Sequence, residues 1–166
     1  MDEQSLQEDS DAALLLDDLD RRVLHQLQQD ASLNNQELAA VVHASPPTCL
    51  RRVRRLKEAG IIEKQVALLD AARLGPTLTA IIEVTLDVQA AEQLDVFEAA
   101  MQSEAAILQC YRVSPGPDFV LIAQVADMPA YHALVHRAFT AQANVRNVRT
   151  FFSVHRSKFE TRVAGF

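Results

Sequence analysis

Residues 33–60, LNNQELAAVVHASPPTCLRRVRRLKEAG, hold two helix starts and two stops in a short span. Asn34 is a good N-cap, and Glu37 three residues later can reach back in a capping box, just ahead of Leu38, Val41 and Val42. A helix over 35–42 follows. It must stop there, because Ser45 is a second N-cap and Pro46 fits a first helical position, where the missing N–H is not needed. The second helix should run from Pro46 to Ala59, with Gly60 as a left-handed cap and Lys57 suited to the negative end of the dipole. Two short helices joined by a tight turn are the expected unit.

At about 100° per residue, Cys49, Leu50, Val53 and Leu56 should line one side of the second helix, and Arg51, Arg52, Arg54 and Arg55 the other. Only Glu58 lies within a turn to neutralise them, so the expected partner is a fixed polyanion. The alternative is an ordinary solvated helix face. The formal charge of the 166-residue chain is -6, which taken alone argues against nucleic acid. The distribution reverses that inference. Residues 1–20 carry eight acids and no base, residues 21–64 eight bases and four acids, and residues 65–166 eight bases and ten acids.

An apolar content of 49% with 23% charged residues is globular, and the length allows one large domain or two small ones. Cys49 and Cys110 sit in different elements and suggest neither a disulfide framework nor a metal knuckle, so reduced thiols are expected. The N-terminus lacks a basic leader and no apolar run approaches about 18 residues, so a cytoplasmic protein with no membrane partner is expected.

Residues 1–15 are acidic and read as a disordered tail. Leu16, Leu19, Val23, Leu24 and Leu27 then recur at helical spacing, so residues 16–69 are expected to form a three-helix DNA-binding domain of the helix-turn-helix kind. Ile61–Leu69 reads as extended, a wing or connecting strand, and residues 70–76, with Gly75-Pro76, as the linker. Residues 77–158 alternate strands and helices: strands over 78–86, 107–113, 119–125 and 148–154, and helices over 90–102 and 128–141. In the last helix Met128, Tyr131, Val135 and Ala138 are expected to point inward. The order βαββαβ is the ferredoxin-like arrangement, giving an α+β chain of a winged helix-turn-helix domain plus a ferredoxin-like domain, with residues 159–166 as a tail. One sheet face would stay open, carrying Ile81 and, depending on register, Phe151 or Phe152; pairing two sheets in a homodimer would cover it.

Residues 16–70, and SPPTCLRRVRRLKEAGII (45–62) most specifically, resemble the DNA-binding half of the leucine-responsive regulatory protein (Lrp/AsnC) family. The βαββαβ half is similar to that family's regulatory domain. The resemblance implies a transcription regulator that binds double-stranded DNA, assembles from homodimers to higher oligomers, often octamers, and responds to a small-molecule effector, commonly an amino acid. It makes Pro46–Ala59 the recognition helix. From geometry, Thr48, Arg51 and Arg52 should reach base edges, while Arg54, Arg55 and Ser45 hold phosphates; Asn35 and Gln36 could add exposed backbone amides. The effector site implied by the family's Gly-x-x-Asp-Tyr loop falls on Ser114, Gly116, Asp118 and Phe119. The turn and the loop depart from the family pattern, the loop first by having Pro115 in place of its first glycine. His43 stands where the turn usually has glycine, and Phe119 where the loop has tyrosine.

His132 and His136 have helical metal-ligand spacing but no third ligand in view, so exposed helix histidines are expected, with no metal and no cofactor. No nucleophile elbow or paired-carboxylate motif indicates catalysis. Two rival readings share the architecture. One is an enzyme resembling siroheme decarboxylases, which would use His132, His136 and Arg112; the other is a ligand-sensing module without DNA binding.

Overall fold

The computed structural model describes residues 15–166, so the expected acidic tail lies almost wholly outside the described residues. The chain divides into two compact units, one comprising residues 15–68 with Glu160–Phe166 and the other Leu69–Phe159.

The first unit contains α1 (Asp18–Gln29), α2 (Asn35–Val41) and α3 (Pro46–Glu58). Each begins at a side-chain cap. Asp17 and Asp20 form a capping box on α1, Asn34 and Glu37 form one on α2, and Ser45 caps α3 through Thr48 N–H. Val23 and Leu24 of α1, Leu38 and Ala39 of α2, Val42, and Cys49 and Leu56 of α3 make one buried cluster. Three helices suffice for a core because each contributes an apolar stripe to the same centre. Residues 61–70 hold no assigned strand, so the expected extended wing is irregular chain here. The C-terminal segment joins this unit: Val163 N–H donates to Gln28 Oε1 (2.6 Å) and Gln28 Nε2 donates to Val163 O (3.4 Å).

The second unit opens with α4 (Ala71–Leu74), where the sequence suggested only a turn, then β1 (Leu78–Leu86), α5 (Ala91–Ser103), β2 (Ile107–Arg112), β3 (Phe119–Val125), α6 (Met128–Val135) and β4 (Val145–Phe152). The strand order is β2-β3-β1-β4 and every neighbouring pair is antiparallel. This is the ferredoxin-like sheet. Ala80, Ile82, Val84 and Leu86 of β1 and Phe119, Leu121, Ala123 and Val125 of β3 face Phe97 and Met101 of α5 and Leu134, Ala138 and Phe139 of the α6 arm. The period-2 alternation of both central strands puts these residues on one face.

The register decides which phenylalanine is on the open face. Ile81 lies opposite Phe151 on one side and Ile122 on the other, so these three share it. Phe152 lies opposite Ala80 and turns to the helix side, where its ring meets Tyr131 edge-on at 4.9 Å. Past Val135 the helix widens to a π turn over His136–Thr140. Leu134 of α6 and Ala138 and Phe139 of the π turn are buried, while Met128, at the first position of α6, is 40% exposed, correcting the expectation for Met128.

Candidate nucleic-acid interface

α3 presents its arginines in two groups, because about 100° of rotation per residue separates positions that a two-sided description merges. Cys49 and Leu56 are buried against α1 and α2. Leu50, expected inside, is 60% exposed, since it sits about a quarter turn from Cys49. Arg51 and Arg54 lie opposite the core stripe and are exposed. Among the described residues Arg54 is paired only with Glu58, one turn on, through a 2.7 Å contact between two well-exposed groups. Arg51 has no hydrogen-bond or ion-pair partner among the described residues, which makes it the least committed arginine of the helix.

Arg52 and Arg55 occupy the flank beside α1. Arg52 NH1 is 2.6 Å from Asp17 Oδ2 and 3.2 Å from both Asp20 oxygens, and Arg55 NH2 donates to Asp20 Oδ2. Asp20 is wholly buried. The Asp20 backbone N–H, and then Arg52, hold the Asp17 carboxyl below its usual range, and the bond to Asp17 raises Arg52 in turn. The expectation of four unneutralised arginines is therefore corrected for Arg52 and Arg55. Their counter-charges come from 32 to 35 residues upstream, a separation helical periodicity within α3 cannot register.

The remaining candidates are brought around the turn between α2 and α3. Ser45 Oγ donates to Thr48 Oγ1 at 2.8 Å, and Asn35 Nδ2 donates to Pro46 O at 3.0 Å. Gln36 N–H and Glu37 N–H both donate to Asn34 Oδ1 (2.9 and 3.1 Å), so the Gln36 amide is not the open donor expected of it. Asn35 thus holds the turn through its side chain. His43 adopts φ 54, the left-handed conformation that glycine takes most easily and histidine tolerates better than most residues. Arg22 Nε donates to Val42 O beside it, tying the turn to α1.

In the second unit the effector candidates part company. Ser114 and Gly116 are exposed in the loop before β3. Asp118 is turned inward to the sheet: its carboxylate accepts from Leu86 N–H at 2.7 Å and its own N–H donates to Val84 O. Phe119 is wholly buried, with its ring 4.6 Å from that of Phe97, so it is a core residue and cannot line a surface site. Alternation with Leu121, Ala123 and Val125 is the sequence signal that places it there. Both cysteine thiols are pushed up by burial, which leaves them poor thiolates. Arg112 is engaged by Asp95 (2.7 Å) and Glu98 (2.8 Å), away from the decarboxylase role that His132 and His136 would need it to share.

A three-helix unit with a capped, arginine-bearing third helix, and a ferredoxin-like unit beside it in the chain, define a DNA-binding regulator with a ligand domain. A winged helix-turn-helix DNA-binding model matches residues 16–63, and the Lrp/AsnC ligand binding domain matches residues 79–163. The chain is 36% identical to the leucine-responsive regulatory protein of Salmonella typhimurium, covering 89% of this chain and 90% of that one. It is also 36% identical to an uncharacterized HTH-type transcriptional regulator of Haemophilus influenzae, over 89% and 88% of the two chains. A transcriptional regulator of Neisseria meningitidis, solved in complex with L-Met, superposes with a TM-score of 0.82 at 30% identity over 90% of this chain and 96% of that one. The chain belongs to the Lrp/AsnC family of transcriptional regulators. No helix among the described residues is long and apolar enough to cross a membrane.

Proposed function

We propose that the chain regulates transcription by reading a pseudo-palindromic duplex as a homodimer, with residues 16–69 as the DNA-binding half and residues 77–158 as the half that senses an amino acid. The observation that carries the DNA reading is the uncommitted Arg51 on the solvent pole of a helix capped at Ser45, with Thr48 and Arg54 flanking it. Arginine on the outer face of a recognition helix gives the commonest base contact in the major groove, the bidentate bond to guanine. Ser45 and Arg54 suit the neighbouring phosphates, Arg54 by exchanging its exposed Glu58 partner for a stronger anion.

Pairing follows from the open sheet face. Ile81 on the central strand β1 and Phe151 beside it on the edge strand β4 are 37% and 41% exposed, Ile122 on β3 is half-buried, and Arg149 stacks 4.6 Å over Phe151. Covering this face with a second copy removes the apolar patch and brings two recognition helices to one site. The family resemblance implies that such dimers assemble further.

The amino-acid reading rests on the Neisseria meningitidis regulator, whose complex with L-Met shares this fold. In this chain Ser114 and Gly116 are the exposed members of the loop before β3, where the family resemblance puts the effector. Asp118 shapes that loop from behind, through Leu86. The test combines two measurements: recovery of genomic fragments retained by the chain, and thermal shift with each of the twenty amino acids. Enrichment of a shared palindromic motif and stabilisation by one amino acid or a few support the proposal. Retention no better than random duplex would remove the regulator reading, and stabilisation by no amino acid would remove the sensing half.

A further inference from the structure

Four arginines in five positions of a recognition helix invite the assumption that all four meet DNA. The first unit holds two of them elsewhere. Asp20 is a fully buried carboxylate with both oxygens within 3.2 Å of Arg52 NH1, and it also accepts from Arg55 NH2 and from Asp17 N–H. Asp17 adds a second carboxylate 2.6 Å from the same Arg52 nitrogen. Two cations and two anions thus close into one local group with no net charge. Arg52 keeps only 21% of its side chain exposed and Arg55 40%, and Arg55 Nε is buried with no partner among the described residues. To reach a phosphate, either arginine would have to give up its bond to the buried Asp20 carboxylate and leave that charge with a single cationic partner, and loosening a buried ion pair is costly.

We propose that Asp17 and Asp20 are positioning residues that withdraw Arg52 and Arg55 from the DNA, pin α3 to α1, and leave Arg51 and Arg54 as the arginines that meet the duplex. This rests on the DNA-binding reading above and deepens it. Its functional meaning is selectivity. Phosphate contacts raise affinity for every sequence alike, whereas base contacts discriminate, so removing two of four arginines from the backbone-binding set keeps non-specific binding low.

Salt dependence counts the phosphates a protein neutralises, with a slope of about 0.9 in log affinity per log salt for each one. The experiment measures duplex binding of the full chain across salt for the wild type and for R51A, R54A, R52M and D17N, on a retained genomic fragment and on random duplex. Folding of each variant is checked by circular dichroism. R54A should lower the slope by about one per protomer, which is about a 3.5-fold smaller loss of affinity for each fourfold rise in salt. R51A should lose preference for the retained fragment. R52M should leave the slope unchanged, because Arg52 touches no phosphate.

D17N should act in the opposite direction. Asparagine caps a helix as well as aspartate does, so α1 is retained while Arg52 loses the nearer of its carboxylates. The slope on random duplex should then steepen and the ratio of specific to non-specific affinity fall. A side chain that served stability alone would weaken all binding on removal and would not steepen a slope. Lowering of the slope by R52M to the extent seen for R54A would overturn the assignment, as would a D17N protein that binds random duplex no more tightly than the wild type. Failure of the wild type to bind any duplex is a different result: it removes the DNA-binding reading and this inference together.

Discussion

Replacing His43 with glycine should stabilise the protein. His43 sits at φ 54 between α2 and α3, and its backbone N–H donates to Ala40 O at 3.3 Å. A left-handed conformation costs a residue with a Cβ roughly 1–2 kcal/mol, whereas glycine gives up about 0.5–1 kcal/mol of extra chain entropy on folding. The imidazole is exposed and has no hydrogen-bond partner among the described residues, so its removal sacrifices no contact. The balance favours H43G by about 0.5–1 kcal/mol, a rise of roughly 2–8 °C in the melting temperature of a unit of this size. H43V should move the other way by more than about 1 kcal/mol, because a β-branched side chain is least compatible with that backbone. Thermal and urea denaturation of the three proteins, followed by circular dichroism, give the order glycine, histidine, valine. A less stable H43G, or a valine variant equal to the wild type, would refute the claim that the turn stores backbone strain.

Three further outcomes follow from the second unit. F119A should cost about 3–5 kcal/mol in a denaturant titration, since it empties the ring stacked on Phe97 in the core; a cost below about 1 kcal/mol would return Phe119 to the surface loop. D118A should cost about 1–2 kcal/mol by leaving Leu86 N–H without its acceptor, and D118N, which keeps a carbonyl oxygen, should cost less. The Arg137 guanidinium grips Glu104 through two bonds (2.7 and 2.8 Å) and holds its carboxyl below the usual value of 4.5. Because the folded-state value is the lower one, the pair's contribution is complete above pH 4.5 and is lost as pH falls through the folded value. The stability gap between wild type and R137M should therefore close on acidification; a gap independent of pH would contradict it.

Features that depend on neighbours in the chain were legible in the residues. Asn34 with Glu37, Ser45 before Pro46, and Gly60 at φ 70 mark helix ends because caps act over three or four positions. The alternation of Leu78 to Leu86 likewise gave a strand with one buried face. Features that depend on register or on distant partners were not legible. Which of Phe151 and Phe152 faces outward turns on the pairing of β4 with β1, and a shift of one residue exchanges them. Asp17 and Asp20 read as favourable acids at a helix start, and they are, through their capping box. Their second role, as counter-charges for Arg52 and Arg55, requires α1 to pack on α3 and has no local signature. The family's loop pattern drew Phe119 toward a ligand, although its own place in the β3 alternation pointed to the core.

The proposed reading of DNA by α3 depends on Arg51. Its most direct measurement is the equilibrium affinity of wild type and R51A for a retained genomic fragment and for random duplex at one fixed salt concentration. The prediction is that R51A loses about 1–3 kcal/mol on the retained fragment, roughly 5- to 150-fold, and much less on random duplex. Equal affinity of wild type and R51A for the retained fragment, with both proteins folded, would contradict it.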